Sequence, residues 1–91
     1  MSEPRYRVEL APAAQRQLLR LPPGDAARLR PPILALATNP HPPGSAKLTG
    51  TDHWRLRVGD LRIVYLVDDA TGLVVVLRVA RRAESTYRRV R

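Results

Sequence analysis

The residues best suited to chemistry are arginines that alternate with apolar side chains in the last third of the chain. Four of them lie in segments with strand-like alternation: Arg55, Arg57, Arg62 and Arg78. Successive side chains of a strand point to opposite faces, so Arg55 and Arg57 share one face. Guanidinium groups are permanent cations with several donors, and a row of them on a sheet suits a polyanion such as RNA. The sequence therefore predicts a cationic sheet surface that binds phosphate groups.

Strand alternation also predicts which side chains meet the helices. In the predicted strands 61–68 and 73–80, one face is almost entirely apolar: Leu61, Ile63, Tyr65, Val67, Leu73, Val75, Leu77 and Val79. The other face mixes arginines with aliphatic residues: Arg62, Val64, Leu66, Asp68, Val74, Val76, Arg78 and Ala80. We expect the apolar face, including Tyr65, to be core, and the second face to bring the four strand arginines together.

A second cationic cluster closes the chain, with Tyr87 standing among Arg81, Arg82, Arg88 and Arg89. Nearby positive charges favour a phenolate and lower the pKa of a tyrosine. Metal-free RNA cleavage would use the substrate's own 2′-OH as nucleophile and leave a cyclic phosphate. The protein would then supply positioning, charge stabilisation and a base. Arginine is a poor proton carrier, so Tyr87 is the leading base candidate and Glu84 the second.

A solvated sheet face is the alternative interpretation of the arginines. In that case their guanidiniums would pair with nearby acids, namely Asp60, Asp68, Asp69 and Glu84. Trp54 is better explained by core or edge packing than by base stacking, and Tyr87 could instead pack a terminal helix onto the sheet. His53 is expected to be a solvated loop residue.

Composition narrows the class of protein. The 91 residues carry a formal net charge of +8, which favours an acidic partner: nucleic acid, an acidic protein or an anionic membrane surface. There is no cysteine, and His41 and His53 are too few for a typical structural zinc site. No glycine spacing matches a nucleotide-binding loop, so we expect no cofactor and no metal. The chain has neither a membrane-length apolar run nor a signal-peptide stretch, which makes a cytoplasmic location the default expectation.

The elements that must position these residues follow from periodicity and from proline and glycine. A strand at 6–10 precedes a helix that starts at Ala11-Pro12 and ends before Pro22-Pro23-Gly24. A second helix, capped by Asp25, runs to about Thr38, with a kink or break near Arg30 ahead of Pro31-Pro32.

The C-terminal half is predicted to be mostly strand. Residues 46–48 are expected to form a short edge strand or a loop. Strands follow at 53–58, 61–68 and 73–80, and a short helix or a tail at about 83–89. The order predicts one α+β domain over residues 1–91. In it, a helical hairpin packs on a mainly antiparallel four-stranded sheet, followed by the short C-terminal helix.

Several of these segments resemble the RelE/ParE superfamily of toxins from type II toxin–antitoxin systems. The similar segments are Tyr6–Ala14, Asn39–Gly44, Lys47–Gly50, Trp54–Tyr65, and Val79–Arg82 with Tyr87-Arg88. The resemblance, closer to RelE-like members, covers about residues 5 to 89 and implies the βααβββ microdomain of that family. It also implies a cognate acidic antitoxin that covers the basic surface.

RelE-like members cleave messenger RNA in the ribosomal A site without a metal, which implies an endoribonuclease that inhibits translation. The residues matching catalytic positions are Arg55, Arg62, Arg82 and Tyr87. Arg55 stands where the nucleases commonly have lysine, and Arg81 is the alternative match to Arg82. The remaining candidates for binding RNA are Lys47, Arg57, Arg78, Arg81 and Arg88.

Two alternatives stay open within the same family. ParE-like members share the fold, lack the nuclease residues and poison DNA gyrase, which implies a non-enzymatic gyrase inhibitor. The other alternative hypothesis is an inactive module that only binds its antitoxin.

Overall fold

The computed structural model describes residues 5–81, which form two helices and five strands. The strands are β1 (Arg7–Leu10), β2 (Ser45–Lys47), β3 (His53–Val58), β4 (Leu61–Asp68) and β5 (Leu73–Arg81). The helices, α1 (Pro12–Arg20) and α2 (Pro23–Ala35), lie between β1 and β2. The predicted C-terminal helix falls outside the described residues. Within residues 5–81, neither helix is long and apolar enough to cross a membrane.

The five strands form one mixed sheet in the order β1-β5-β4-β3-β2. The first strand is parallel to β5, and every other neighbouring pair is antiparallel. The predicted α+β class, with two helices on a mainly antiparallel sheet, is therefore confirmed. The predicted count of four strands is one too low, because Ser45–Lys47 pairs with β3 as a short edge strand.

The core lies between the two helices and one face of the sheet. Its buried residues are Ala14, Leu29, Ile33, Leu36, Leu56, Leu61, Ile63, Tyr65, Val74, Val76 and Val79. Tyr65 is fully buried as predicted, and its hydroxyl donates a 2.6 Å hydrogen bond to the carbonyl oxygen of Pro40. That bond satisfies the polar end of the largest core side chain and holds the connector before β2 against the sheet.

A β-bulge at Leu77 changes which residues of β5 face the core. Val64 pairs with Arg78 and Tyr65 pairs with Val76, so Leu77 has no partner in β4. The extra residue shifts the alternation by one, and residues 74 and 76 join Val79 on the buried side. The predicted uninterrupted alternation along β5 is wrong for this reason, although Arg78, which follows the bulge, keeps its predicted face.

Helix α2 continues through the prolines at 31 and 32 as a single element. Proline lacks an amide hydrogen, so the carbonyls of Ala27 and Arg28, four residues earlier, lose their helical donors. Both residues are exposed, and water can reach those carbonyls. Leu29 and Ile33 are meanwhile buried against the sheet, at 0% and 7% exposure. Of the predicted kink or break near Arg30, the break is wrong, because the helix continues through the prolines and apolar contacts hold it in place on both sides of them.

Candidate functional site

The four strand arginines lie together on the sheet face away from the core, which we call the arginine face. Arg57 pairs directly with Arg62 across β3 and β4. Arg55 and Arg78 are both in register with Val64, which lies between them on β4. The predicted shared face is confirmed, and it spans three adjacent strands.

None of these four arginines forms an ion pair with another residue in the range 5–81. Three of the carboxylates considered as partners are engaged elsewhere. Asp60 pairs with two other arginines, Asp69 accepts a hydrogen bond from a tyrosine, and Asp68 accepts bonds from amides of its own turn. Glu84 lies outside the described residues. Within the described part of the chain, the arginine face is therefore an uncompensated concentration of positive charge, and the alternative pairing with Asp60, Asp68 and Asp69 does not occur.

Arg62 has the least satisfied donor on the arginine face. Its Nε is buried and finds no hydrogen-bond partner among residues 5–81. A buried unpaired donor costs about 1–3 kcal/mol, and more when the group is charged. Buried donors are rarely left in this condition, and an anionic oxygen is the strongest acceptor available to a guanidinium. Arg62 therefore marks the position on this face at which an anion would be held best.

The structure separates two other predicted RNA-binding residues from this face. Lys47 is in register with Trp54, and Trp54 is in register with the buried Tyr65. Because residues in register share a face, Lys47 and Trp54 lie on the core side of the sheet. Arg81 is opposite the buried Leu61 and its guanidinium is already paired with carboxylates. Arg82, Tyr87 and Arg88 lie outside the described residues.

Those carboxylates belong to a cluster that the sequence did not reveal. Arg81 pairs with Asp25 of α2 and with Asp60 of the β3–β4 turn, and Arg28 pairs with the same two acids at 3.3 and 3.5 Å. Desolvation opposes ionisation of Asp60, but its own backbone amide and the two arginines hold its pKa below the usual value. The charges of Asp25 and Asp60 raise the pKa of Arg81. The predicted helix cap is wrong, because α2 starts at Pro23 and places Asp25 inside its first turn.

Trp54 has the packing role that its residue type favours. It is half-buried against the core, and the ring of His41 lies over it with centroids 4.2 Å apart at 45°. His53 is the first residue of β3 and is half-buried rather than a solvated loop residue. Within residues 5–81, no three His, Asp or Glu side chains are grouped closely enough to hold a metal ion.

An apolar groove of about 590 Å³ runs between the two helices and β1. Its lining includes Leu10, Leu18, Ile33 and two of the most exposed apolar side chains, Leu19 at 86% and Leu34 at 63%. Large apolar side chains exposed together on a small protein indicate a surface that a partner covers.

Comparison with known proteins identifies the family. The model of the family described as "ParE toxin of type II toxin–antitoxin system, parDE" matches residues 8–86. The chain belongs to this family and is a type II toxin of the RelE/ParE superfamily. A search of curated proteins finds no match.

Solved structures of RelE proteins share the fold. The chain is 30% identical to a structure described as the toxin–antitoxin complex RelBE2 from Mycobacterium tuberculosis, with a TM-score of 0.78 over 88% of this chain and 100% of that one. For the RelE–RelB complex of Pyrococcus horikoshii the identity is 28% and the TM-score 0.78, over 88% and 98% of the two chains. The isolated RelE toxin of Escherichia coli, at 22% identity and a TM-score of 0.73 over 93% and 95%, shares the fold.

Proposed function

We propose that this toxin is a ribosome-dependent endoribonuclease that cleaves messenger RNA in the A site and so inhibits translation. The observation that carries the proposal concerns Arg62: its Nε is buried and has no hydrogen-bond partner among residues 5–81, on a face whose arginines have no acidic partner in that range. The uncompensated charge of this face costs the fold stability. The same charge is complementary to phosphate, which an RNA-cleaving protein must bind.

The proposed reaction takes its nucleophile from the substrate, so the protein need not supply one. The 2′-oxygen of a ribose attacks the adjacent phosphorus, and the bond from phosphorus to the 5′-oxygen of the next nucleotide breaks. The products are a 2′,3′-cyclic phosphate and a 5′-hydroxyl. A base takes the 2′ proton, and the departing 5′-oxygen gains one from solvent. The protein contributes orientation and stabilisation of the negative charge that builds up on the phosphate oxygens.

Each candidate residue has a distinct role in this reaction. Arg62 holds the scissile phosphate together with Arg55, which lies on the same face opposite Val64, and Arg82 adds a third guanidinium. Tyr87 is the proposed base, with Glu84 as the second candidate. Arg57, Arg78 and Arg88 hold the RNA on either side. Lys47 and Arg81 are left out of the proposed site.

Cleavage of a translated message would test the proposal directly. Purified toxin is added to ribosomes translating a defined message, and primer extension locates any new 5′ ends. We expect cuts within A-site codons, and a loss of at least about 100-fold in rate for Arg62→Gln, which removes charge stabilisation at the phosphate. Arg16→Gln removes an exposed arginine from α1 and is the matched control, with an unchanged rate. Absence of cleavage by the unmodified chain, or equal rates for both variants, would overturn the proposal.

Inhibition of DNA gyrase is the second candidate, favoured by the description of the matching family as ParE toxins. A supercoiling assay with purified gyrase separates the two functions. Inhibition of supercoiling together with intact messages would favour the function of a gyrase inhibitor. Normal supercoiling with rapid arrest of protein synthesis would exclude it.

We further propose a cognate antitoxin and a cytoplasmic site of action. The structural relatives described as RelE–RelB complexes contain an antitoxin. For this chain, the groove exposing Leu19 and Leu34 suits the apolar side of an amphipathic helix, and the net charge of +8 favours an acidic partner. Titration with the product of the neighbouring reading frame should restore translation. Failure of that protein to bind would reject it as the antitoxin.

A further inference from the structure

The four charged residues at the end of β5 form a closed ring of ion pairs. Around the ring, Arg28 contacts Asp25, Asp25 contacts Arg81, Arg81 contacts Asp60, and Asp60 contacts Arg28 again. The two acids balance the two arginines, so the ring has no net charge. It therefore differs from the arginine face, whose charge no acid among residues 5–81 balances.

The ring joins three elements that are far apart in the sequence. Asp25 and Arg28 belong to the first turns of α2, Asp60 to the turn between β3 and β4, and Arg81 to the end of β5. Asp25 has only 16% of its side chain exposed, whereas Arg28, Asp60 and Arg81 are about half exposed. Ion pairs that act as a network with one partly buried member hold geometry better than isolated surface pairs.

Arg28 also contacts the β3–β4 turn, which is a second observation that its position in the ring is fixed by the fold. Its Nη2 lies 3.5 Å from the carbonyl oxygen of Val58. Gly59 has a positive φ of +61°, and a Cβ at that position would collide with the Arg28 guanidinium. The turn thus leaves room for the arginine that completes the ring.

We infer that Arg81 is a positioning residue, held by the ring so that the chain leaves β5 at one fixed place. This inference rests on the proposed function, which gives catalytic roles to Arg82 and Tyr87, the residues that come after Arg81 in the sequence. Adjacent arginines then have different tasks: Arg81 binds protein carboxylates and Arg82 binds RNA. A displacement of the reacting groups by about 1 Å can cost about 100-fold in rate, so a fixed exit point matters for catalysis.

Variants that change charge in opposite directions separate positioning from RNA contact. Arg81→Gln removes a positive charge, whereas the pair Asp25→Asn with Asp60→Asn removes two negative charges and leaves Arg81 free. If Arg81 only positions the chain, both changes lower the single-turnover cleavage rate, by about tenfold, with half-saturating toxin concentration within twofold of normal. Arg81→Lys, which retains charge, should recover most of the rate.

Thermal unfolding of the same proteins tests the ring without reference to RNA. Each single variant should lower Tm by roughly 3–6 °C, and combining Arg81→Gln with Asp60→Asn should cost less than the sum. Asp52→Asn, an exposed acid outside the ring, is the control and should change neither Tm nor rate.

Two results would overturn the inference. The first is additive Tm losses, which would mean that the ring does not couple its members. The second is a faster or tighter reaction when the acids are removed, which would mean that Arg81 is an RNA ligand. An inactive unmodified toxin would instead refute the proposed function, and the Tm series would still report on the ring.

Discussion

Arg57 and Arg62 are paired directly across the β3–β4 hairpin, with no acidic partner for either among residues 5–81. Like charges placed opposite each other on antiparallel strands repel and destabilise the sheet. The pair therefore costs the protein stability at the position where we propose that RNA is bound.

Replacing Arg57 with threonine should stabilise the fold and weaken the toxin. The change removes the repulsion and introduces a residue that favours strands, so we expect a gain of about 0.5 kcal/mol in the free energy of unfolding. Urea denaturation gives that value, and translation arrest gives the activity. Arg57→Lys keeps the charge and should change neither. A loss of stability in the threonine variant would show that the arginine pair is compensated within the folded protein.

Substitution of Tyr65 by phenylalanine should destabilise the core and remove an alkaline transition. The change deletes the hydrogen bond to Pro40 and leaves a buried carbonyl unpaired, at a cost of about 1–2 kcal/mol. Burial raises the pKa of Tyr65 above its usual value of about 10, so the stability held by the neutral phenol is complete below that pH. It is lost as the pH rises through the folded-state pKa.

Stability measured between pH 8 and 12 checks the Tyr65 expectation. The unmodified chain should lose stability above about pH 10, and Tyr65→Phe should lose less across the same range. Tyr6→Phe is the comparison, because the hydrogen bond to Asp69 also raises the pKa of that more exposed tyrosine. Equal slopes for the unmodified chain and Tyr65→Phe would mean that Tyr65 does not control the alkaline limb.

The Asp60→Asn variant should flatten the acid side of the stability profile. The folded-state pKa of Asp60 is lowered, so its contribution is present above the ordinary aspartate pKa of about 3.9 and is lost as the pH falls through the folded value. Tm recorded from pH 2 to 6 should fall less steeply for Asp60→Asn than for the unmodified chain. Asp52→Asn, with its carboxylate outside the ring, should follow the unmodified profile.

Alanine at Gly59 should be worse tolerated than alanine at Gly50. Both glycines have positive φ, +61° and +78°, which costs any other residue about 1–2 kcal/mol. Only at Gly59 would the new Cβ also meet the Arg28 guanidinium, whereas space around Gly50 is open. Chemical denaturation should therefore show a larger loss for Gly59→Ala, and Arg28→Ala should remove the excess. Equal losses at the two glycines would mean that Arg28 can move aside freely.

Local alternation was enough to predict the arginine face, because β3 and β4 follow one another through a short turn with no interruption. It failed in β5, since the bulge at Leu77 arises from how two strands pair and leaves no mark in either strand alone. The break predicted at the prolines of α2 was wrong for a related reason. Their local cost is real, but it is outweighed by Leu29 and Ile33, whose burial depends on the sheet.

The ion-pair ring was beyond sequence reasoning for another reason. Asp25 and Arg28 could have been noticed as an i,i+3 pair on a helix. Asp60 and Arg81 come from a turn and a strand end, and only the three-dimensional arrangement brings all four together. A residue's chemistry was readable from its type, but its partners were set by elements remote in sequence.

The parallel pairing of β1 with β5 determines how early during synthesis the toxin can complete its fold. Arg7 is in register with Leu73 and Leu10 with Val76, so the first strand finds its neighbour only after almost the whole described chain exists. Such long-range contacts delay folding, and ribosomes add only about 5–20 residues per second. The arginine face needs β5 as well, because Arg78 is one of its members. While its own ribosome is still synthesising that strand, a nascent toxin therefore lacks the assembled surface to which we assign RNA binding.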